Sequence, residues 1–414
     1  MVERLPNKIG PWVTGDEFFD RSAEVDRLIQ LMDERNNVLL VAPRRIGKTS
    51  LVREVFRRMK ERGQDYPVFA DVQDCSTPED VIVALSMAAQ PYGSLASRIS
   101  DAFASFLQNF RDGIESVGAA DLLEIRFRAA IAGDWRAKAG KIVEKLAEAD
   151  RPVAICLDEL PVMLNRLITG PGDAADRRAA AELFLSWLRR TVTAHPDRVR
   201  WIICGSIGLE PVLARHNLSF TVGNLRPFHL PPWDRPTADA CLRSLAAFEG
   251  HEWPAESRSA LLDKLAHYIP HHVQMYFGHV IDDCRLRGAE APTAEDVATV
   301  WETHMLSTRG HAELADYEER LLRVLGTESA GLALDLLTEA AVGRLTSEAA
   351  RQIAGRHRLE ESSKALRDVL RVLEHDGYLD LNRETGAWHF VSPLMHDWWQ
   401  HRFGASHIPL QPAD

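Results

Sequence analysis

A glycine, a lysine and two hydroxyl residues lie where a short apolar run gives way to a helical pattern. The apolar run is VLLV at 38–41, and the helical pattern resumes at Leu51. Backbone N–H groups of such a turn can wrap a phosphate, which then also lies at the positive end of the following helix. The sequence therefore predicts a phosphate-binding P-loop. Its residues are Ala42, Pro43, Arg44, Arg45, Ile46, Gly47, Lys48, Thr49 and Ser50.

Two residues of this P-loop have separate predicted tasks. Lys48 is expected to reach the β- and γ-phosphates of ATP, and the Thr49 hydroxyl is expected to ligate Mg²⁺. Ala42 stands where the P-loop pattern has its first glycine, and it adds only a methyl group at the strand end. A chance Gly-Lys-Thr turn is the alternative, but the strand before it and the helix after it favour the P-loop.

Two carboxylates end a second apolar run, VAICL at 153–157. Asp158 is expected to hold Mg²⁺ through water, and Glu159 is expected to orient and deprotonate the water that attacks the γ-phosphate. The alternative is that the two acids only cap the helix that follows. A P-loop with a strand-terminal Asp-Glu pair is the minimal set for hydrolysis of a nucleoside triphosphate.

A third apolar run, VRWIIC at 199–204, ends just before Gly205 and Ser206. Ser206 is expected to hydrogen-bond the γ-phosphate or the attacking water, although a Gly-Ser turn is common after any strand. Hydrolysis of this kind also uses a cation that neutralises the transition state. The candidates, each of which is otherwise a solvated surface charge, are Arg189, Arg190, Arg215 and Arg226.

Composition limits the classes of function. The 414 residues have a formal net charge of -11 and a pI near 5.8, which argues against coating nucleic acid or an anionic membrane. The five cysteines have no CxxC spacing, so neither a disulfide framework nor a zinc site is indicated. No apolar run approaches the length of a membrane span. We therefore expect a cytoplasmic protein in which Cys156 and Cys204 only pack inside their apolar runs.

Strands that alternate with helices after a P-loop predict an α/β fold with a doubly wound parallel sheet. We expect the nucleotide-binding domain at 1–234, with a helical and β insertion at about 86–150. Inside the insertion, residues 123–131 alternate in polarity, which predicts a half-buried strand. A helical lid is expected at 235–310, and Pro270, followed by two histidines, is expected where this lid meets the nucleotide.

The last segment, 311–414, predicts a winged helix because three helical patterns are followed by a hairpin pattern. A short polar stretch at 307–310 is expected to join it to the lid. Its third helix carries three basic residues on the outer face, Lys364, Arg367 and Arg371. The acidic residues around them are Glu360, Glu361, Asp368 and Glu374. The face is therefore expected to be solvated or to bind protein, and its affinity for duplex DNA is expected to be weak.

Several of these segments together resemble the archaeal-type ATPases of the STAND branch of AAA+-like P-loop proteins. The matching residues are Phe19, Asp20, Arg21 and Glu24, the P-loop from Pro43 to Ser50, the segment from Leu157 to Pro161, Gly205 and Ser206, and the segments from Val391 to Leu394 and from Asp397 to Trp399. The resemblance implies an ATP-driven switch that has a nucleotide-binding domain, a helical lid and a winged helix able to close over the nucleotide. The departures are Ala42 in place of the common glycine, Tyr268-Ile269-Pro270 in place of a Gly-x-Pro element, and His396 where arginine is usual. They concern turnover rate and lid contacts, and nucleotide binding is expected to be retained.

Three hypotheses of function follow. The first is a slow Mg-ATP hydrolase that acts as a regulatory switch in a prokaryotic defence or stress system, with a protein partner or self-association. In this switch we expect ADP to hold the winged helix closed and ATP to loosen it. The second is a DNA-handling ATPase similar to replication initiators of the origin-recognition type, which salt-dependent duplex binding would reveal. The third is a nucleotide-binding interaction module with negligible turnover. Steady-state phosphate release would separate it from the first.

Overall fold

The computed structural model describes residues 4–102, 119–131, 133–218, 224–250, 253–307, 311–357 and 362–411. The polar stretch expected to precede the winged helix lies mostly outside these ranges, as do Glu360 and Glu361. None of the helices in the described ranges is both long and apolar enough to cross a membrane. The chain forms two compact units, which are taken in turn.

The first unit, Arg21–Val41 with Lys48–Leu230, is built on a parallel sheet of five strands in the order β2-β3-β4-β1-β5. Its strands are β1 Val38–Val41, β2 Tyr66–Asp71, β3 Val153–Asp158, β4 Val199–Cys204 and β5 Arg226–His229. Every residue of β3 and β4 is buried, as expected for central strands covered on both faces. The doubly wound α/β fold is therefore confirmed.

Nine helices surround this sheet within the described residues. They are α1 Ser22–Asp33, α2 Lys48–Arg62, α3 Pro78–Ala88, α4 Gly93–Ala102, α5 Ala119–Ile131, α6 Trp135–Ala147, α7 Leu160–Thr169, α8 Ala174–Ala194 and α9 Leu209–Arg215. Polar side chains fix several starts: Thr77 and Asp80 form a capping box on α3, and Asp134 caps α6.

The strand expected in the insertion is wrong, because those residues belong to α5, Ala119–Ile131. The buried side chains are Phe127, Ala130 and Ile131, whereas Ile125 is 43% exposed. Spacings of three and four residues describe one face of a helix. The alternating polarity is therefore accidental, and the packed face decides the structure.

A buried asparagine fixes the start of the P-loop strand. Asn37 precedes β1, and its Nδ2 donates to the carbonyl of Val192, at the end of α8, at 3.0 Å. Its Oδ1 accepts from the amide of Trp201 in β4 at 2.9 Å. Because both ends of this buried amide are satisfied, the side chain sets the position of β1 against its neighbours.

The second unit comprises Met1–Asp20, Ala42–Gly47 and Pro231–Asp414. The predicted helical lid consists of α10 Arg235–Glu249, α11 Ala255–Leu265, α12 Pro270–Arg287 and α13 Ala294–Val300. The predicted winged helix consists of α14 His311–Val342, which breaks at Gly326, β6 Leu345–Thr346, α15 Ser347–Arg356, α16 Ser362–His375, β7 Leu379–Asn382, β8 Ala387–Phe390 and α17 Pro393–Phe403. Its sheet is antiparallel, in the order β6-β8-β7.

Buried polar contacts join the lid to the winged helix. His272 of α12 is 1% exposed, and its Nε2 lies 3.3 Å from the hydroxyl of Tyr317 in α14. The hydroxyl of Tyr378 donates to the carbonyl of Tyr317 at 2.8 Å. Arg320 and Asp376 form a buried ion pair at 3.1 Å next to this group. Buried polar contacts of this kind favour one arrangement of the elements that carry them.

Candidate active site

Asp158 ends β3, and donors of its own unit hold its buried carboxylate. The Thr49 hydroxyl at the start of α2 donates to Oδ2 at 2.8 Å. The amide of Glu159 donates to Oδ1 at 3.1 Å. Asp158 is only 2% exposed, so these donors replace the water that a carboxylate otherwise needs. The structure thus brings together the two residues predicted to hold Mg²⁺.

The chemistry of this pair suits a magnesium ion. Mg²⁺ prefers hard oxygen ligands and keeps several waters, so it is usually held by few protein groups together with phosphates. The Thr49 oxygen donates its hydrogen to Asp158 and keeps lone pairs for a cation. Among the described residues, no three His, Cys, Asp or Glu side chains are grouped to hold a metal. Phosphate and water oxygens are the further ligands that a Mg²⁺ ion would take here.

Glu159 lies at the junction of β3 and α7 in a left-handed conformation, with φ 61° and ψ 26°. Residues other than glycine rarely adopt this conformation, and they concentrate at functional sites. Its Oε2 accepts two hydrogen bonds from Ser206, one from the amide and one from the hydroxyl, both at 2.8 Å. The predicted base is therefore held by Ser206, and the predicted contact of Ser206 with phosphate or water stays a prediction.

The pKa of Glu159 is raised above its ordinary value, chiefly by burial. The hydrogen bonds from Ser206 and the charge of Lys48 lower this pKa, and the neighbouring Asp158 raises it. A carboxylate whose pKa is raised is a stronger base at neutral pH than a surface glutamate. This property suits the abstraction of a proton from water.

A glycine permits the close approach of the two strand ends. A Cβ atom on Gly205 would lie 2.6 Å from Cδ of Pro161 and 3.5 Å from Cα of Glu159. Real Cβ atoms do not tolerate the first of these distances, so any side chain at 205 must displace the start of α7. Gly205 therefore lets Ser206 reach Glu159.

The P-loop itself begins a helix with a buried lysine. Lys48 is the first residue of α2 and is 7% exposed. Arg45 and Gly47 have positive φ values of 63° and 95°, which curl the loop. A curled backbone can direct successive N–H groups towards one anion. The P-loop thus has the backbone form expected of a phosphate site, and its individual phosphate contacts stay predictions.

Two cysteines that were expected only to pack lie beside Asp158. The Sγ of Cys204 donates to Oδ1 of Asp158 at 3.1 Å, and it lies 3.7 Å from the Sγ of Cys156. The hydrogen bond with Cys156, burial and the charge of Asp158 raise the pKa of Cys204 well above its ordinary value. Burial likewise raises the pKa of Cys156. Because both cysteines lie in apolar runs, the sequence did not indicate this contact.

The tip of the P-loop contacts the winged helix inside the second unit. Nη2 of Arg44 pairs with Oδ2 of Asp316 in α14, and Nη2 of Arg45 lies 3.6 Å from the same oxygen. A Cβ on Gly377 would lie 3.4 Å from Cβ of Pro43. No motif or spacing in the sequence indicated Asp316, since one acid near the start of a helix is ordinary.

Pro270 begins α12 and is buried. Its predicted contact with nucleotide stays a prediction. Of the four candidate cations, Arg226 is the first residue of β5 and lies 3.9 Å from Glu34. It is therefore at the amino edge of the sheet, opposite the carboxyl edge that carries Asp158. Arg189 and Arg190 are exposed near the end of α8, and Arg215 ends α9.

The outer face of α16 has the mixed charge that was expected. Arg367 and Arg371 are exposed, and Nη1 of Arg371 lies 3.7 Å from Asp368. The carboxylate of Glu374 accepts a hydrogen bond from the indole of Trp388 at 2.6 Å. The basic charges of this face are thus accompanied by acids.

The comparisons with known proteins agree with this site. Residues 17–202 match the family described as AAA ATPase domain. The Walker-type ATPase PABY2304 of Pyrococcus abyssi has a similar structure, with 15% identity, 95% of this chain and 99% of that chain covered, and a TM-score of 0.61. The Aeropyrum pernix ORC2 protein, solved as ADPNP-ADP complexes, is similar with 13% identity, 96% and 97% covered, and a TM-score of 0.51. No curated protein sequence matches the chain.

At these identities the two structures establish the fold alone. The family match nevertheless places the P-loop and Asp158 inside an AAA ATPase domain, at residues 17–202. The predicted AAA+-like P-loop ATPase is confirmed at this level.

Proposed function

We propose that this ATPase is a slow regulatory switch of the STAND kind, in which the winged helix restrains the P-loop. The observation that carries the proposal is the pairing of Arg44 and Arg45 with Asp316. A switch needs an element whose contact with the nucleotide loop differs between nucleotide states. Asp316 supplies such a contact, because it holds two residues of the loop that binds phosphate.

The reaction proposed for the site is hydrolysis of Mg-ATP. Lys48 binds the β- and γ-phosphates, and Thr49 and Asp158 hold the ion. Bound Mg²⁺ neutralises charge on the phosphates and makes the γ-phosphate more susceptible to attack. Glu159 takes the proton of the attacking water, and Ser206 keeps the Glu159 carboxylate in place until it does so.

The restraint follows from competition for two guanidinium groups. Arg44 and Arg45 are about a quarter exposed, as is Asp316, so solvent and nucleotide phosphates can reach them. The γ-phosphate of ATP attracts these arginines and weakens their bonds to Asp316. ADP lacks this phosphate, so the bonds persist and keep the winged helix closed over ADP.

The substitution Asp316→Asn tests this restraint. It removes the charge and keeps the size of the side chain, so it should speed release of a fluorescent ADP analogue by roughly two- to fivefold, as expected for an ion pair of about 0.5–1 kcal/mol. The difference from wild type should shrink at high salt, because the pair is partly exposed. Stopped-flow displacement at two salt concentrations measures both effects.

Glu318→Gln is the matched control. Glu318 lies on the same helix and pairs with Arg402 at 2.9 Å, so its loss removes the same charge without touching the P-loop. Equal ADP release by wild type and both variants would contradict the restraint while leaving ATP hydrolysis in place.

DNA handling is the second candidate, favoured by the winged helix and by the exposed Arg367 and Arg371 on α16. The acids beside them and the net charge of -11 weigh against it. Duplex binding that weakens steeply with salt is the property that would separate this candidate from the switch.

A further inference from the structure

The geometry around Asp158 points to a positioning role for Cys204. We propose that the Cys204 thiol orients the Asp158 carboxylate for Mg²⁺, an inference that rests on the proposed Mg-ATP hydrolysis. Cys204 Sγ donates to Oδ1 at 3.1 Å while the Thr49 hydroxyl donates to Oδ2 at 2.8 Å. The two bonds engage different oxygens of one carboxylate.

Strand register brings these groups together. β3 and β4 are parallel with Leu157 opposite Ile203, so Asp158 and Cys204 are the next neighbours along the two strands. Cys156 lies two residues before Asp158, on the same face of the sheet. The contact is therefore made by two central strands that are buried along their whole length, and no loop takes part in it.

The thiol has a defined direction of donation. Each thiol carries one hydrogen, and a carboxylate can only accept. If Cys204 gives its hydrogen to Oδ1, the Sγ–Sγ contact of 3.7 Å requires that Cys156 donates to Cys204. This order, from Cys156 to Cys204 to Asp158, uses each hydrogen once.

The bond limits rotation of the carboxylate. Asp158 is 2% exposed and Cys204 is 1% exposed, so water does not replace a lost donor freely. Without the thiol, the Glu159 amide at 3.1 Å is the one donor to Oδ1 left among the described residues, and the carboxylate can turn away from Thr49. Groups that orient a metal ligand from behind commonly change metal affinity when they are removed.

Four proteins test the inference: wild type, Cys204→Ala, Cys204→Ser and Cys156→Ala. The affinity for a fluorescent ADP analogue is measured as Mg²⁺ is added, and EDTA defines the metal-free affinity. The variants are compared by the Mg²⁺ concentration at which half of the Mg-dependent gain in affinity is reached. Cys204→Ala should raise this concentration by about tenfold. The metal-free affinity should stay the same, because the phosphate-binding loop is unaltered.

The other two variants separate orientation from packing. Cys204→Ser keeps a hydrogen-bond donor and should restore most of the wild-type Mg²⁺ requirement. Cys156→Ala leaves a similar cavity on the same face but does not touch Asp158, so it should behave as wild type. An equal shift in Cys204→Ala and Cys156→Ala, or none in either, would overturn the inference.

The failure of the two proposals can be told apart. A wild-type protein whose nucleotide binding does not depend on Mg²⁺ contradicts both the magnesium site and the role of Cys204. A wild-type protein that needs Mg²⁺, with an unchanged requirement in Cys204→Ala, removes only the role of Cys204.

Discussion

Asp158 and Glu159 are adjacent carboxylates whose surroundings differ. Asp158 is buried between Thr49 and Cys204, whereas Glu159 is half-buried and bonded to Ser206. One residue step at a strand end directs the two side chains to different partners. The left-handed turn at Glu159 gives a structural origin to the proposed division into a metal ligand and a base.

Substitution at Lys48 and Glu159 should separate binding from turnover. Lys48→Ala should lose Mg-ATP affinity, because a phosphate-binding charge is removed. Glu159→Gln should keep the affinity and lose about a hundredfold or more in turnover, the usual effect of a missing general base. Equilibrium binding and steady-state phosphate release measure the two properties. Equal turnover in wild type and Glu159→Gln would exclude Glu159 as the base.

The sequence predicted Lys48, Thr49, Asp158 and Glu159 because apolar runs end in them, and the ends of parallel strands meet at one edge of the sheet. It did not predict Cys204 or Asp316. A cysteine at the end of an apolar run has the same pattern whether or not its thiol meets a carboxylate. An acid on a helix gives no sign of a partner that lies some 270 residues away in the chain.

At the scale of elements, the junction of β4 with α7 depends on one missing side chain. Gly205→Ala should displace Pro161 and destabilise the protein by about 1–3 kcal/mol, as overpacking usually does, and it should lower turnover because Ser206 then shifts from Glu159. Thermal or urea unfolding measures the first effect and phosphate release the second.

Gly140→Ala provides the control for this prediction. Gly140 lies inside α6, and a methyl group added there would have no atom within 4 Å, so alanine should stabilise the helix by about 0.5–1 kcal/mol. A Gly205→Ala variant as stable and active as wild type would show that the strand ends do not need this close approach.

The elements of the fold followed from the sequence to different degrees. Of the five strands of the sheet, β1, β3 and β4 were predictable because each contains a short apolar run. Their order, β2-β3-β4-β1-β5, is set by tertiary packing that periodicity does not contain. In α5 the alternating pattern gave a wrong prediction, because five apolar residues alternate in the sequence while the buried side chains are Phe127, Ala130 and Ile131.

At the scale of the whole molecule, the chain joins an ATPase unit to a second unit whose polar core includes a buried histidine. Burial lowers the pKa of His272 well below its ordinary value, and its electrostatic interactions with His271, His267 and Arg45 lower this pKa further. Its hydrogen bond with Tyr317 belongs to the contact between the lid and the winged helix. Protonation of His272 therefore opposes the packing of this unit.

The stability of the protein should fall on acidification for this reason. A depressed pKa means that the unfolded chain binds the proton more readily, so the stabilisation is present above the ordinary histidine pKa of about 6.5 and is lost as the pH falls below it. One proton permits a slope of at most about 1.4 kcal/mol per pH unit. In His272→Gln the thermal midpoint should change less between pH 7 and about pH 5 than in wild type. His401 lies at an exposed position of α17, so His401→Gln should keep the wild-type dependence of the thermal midpoint on pH. The same slope in wild type and His272→Gln would assign the acid sensitivity to other groups.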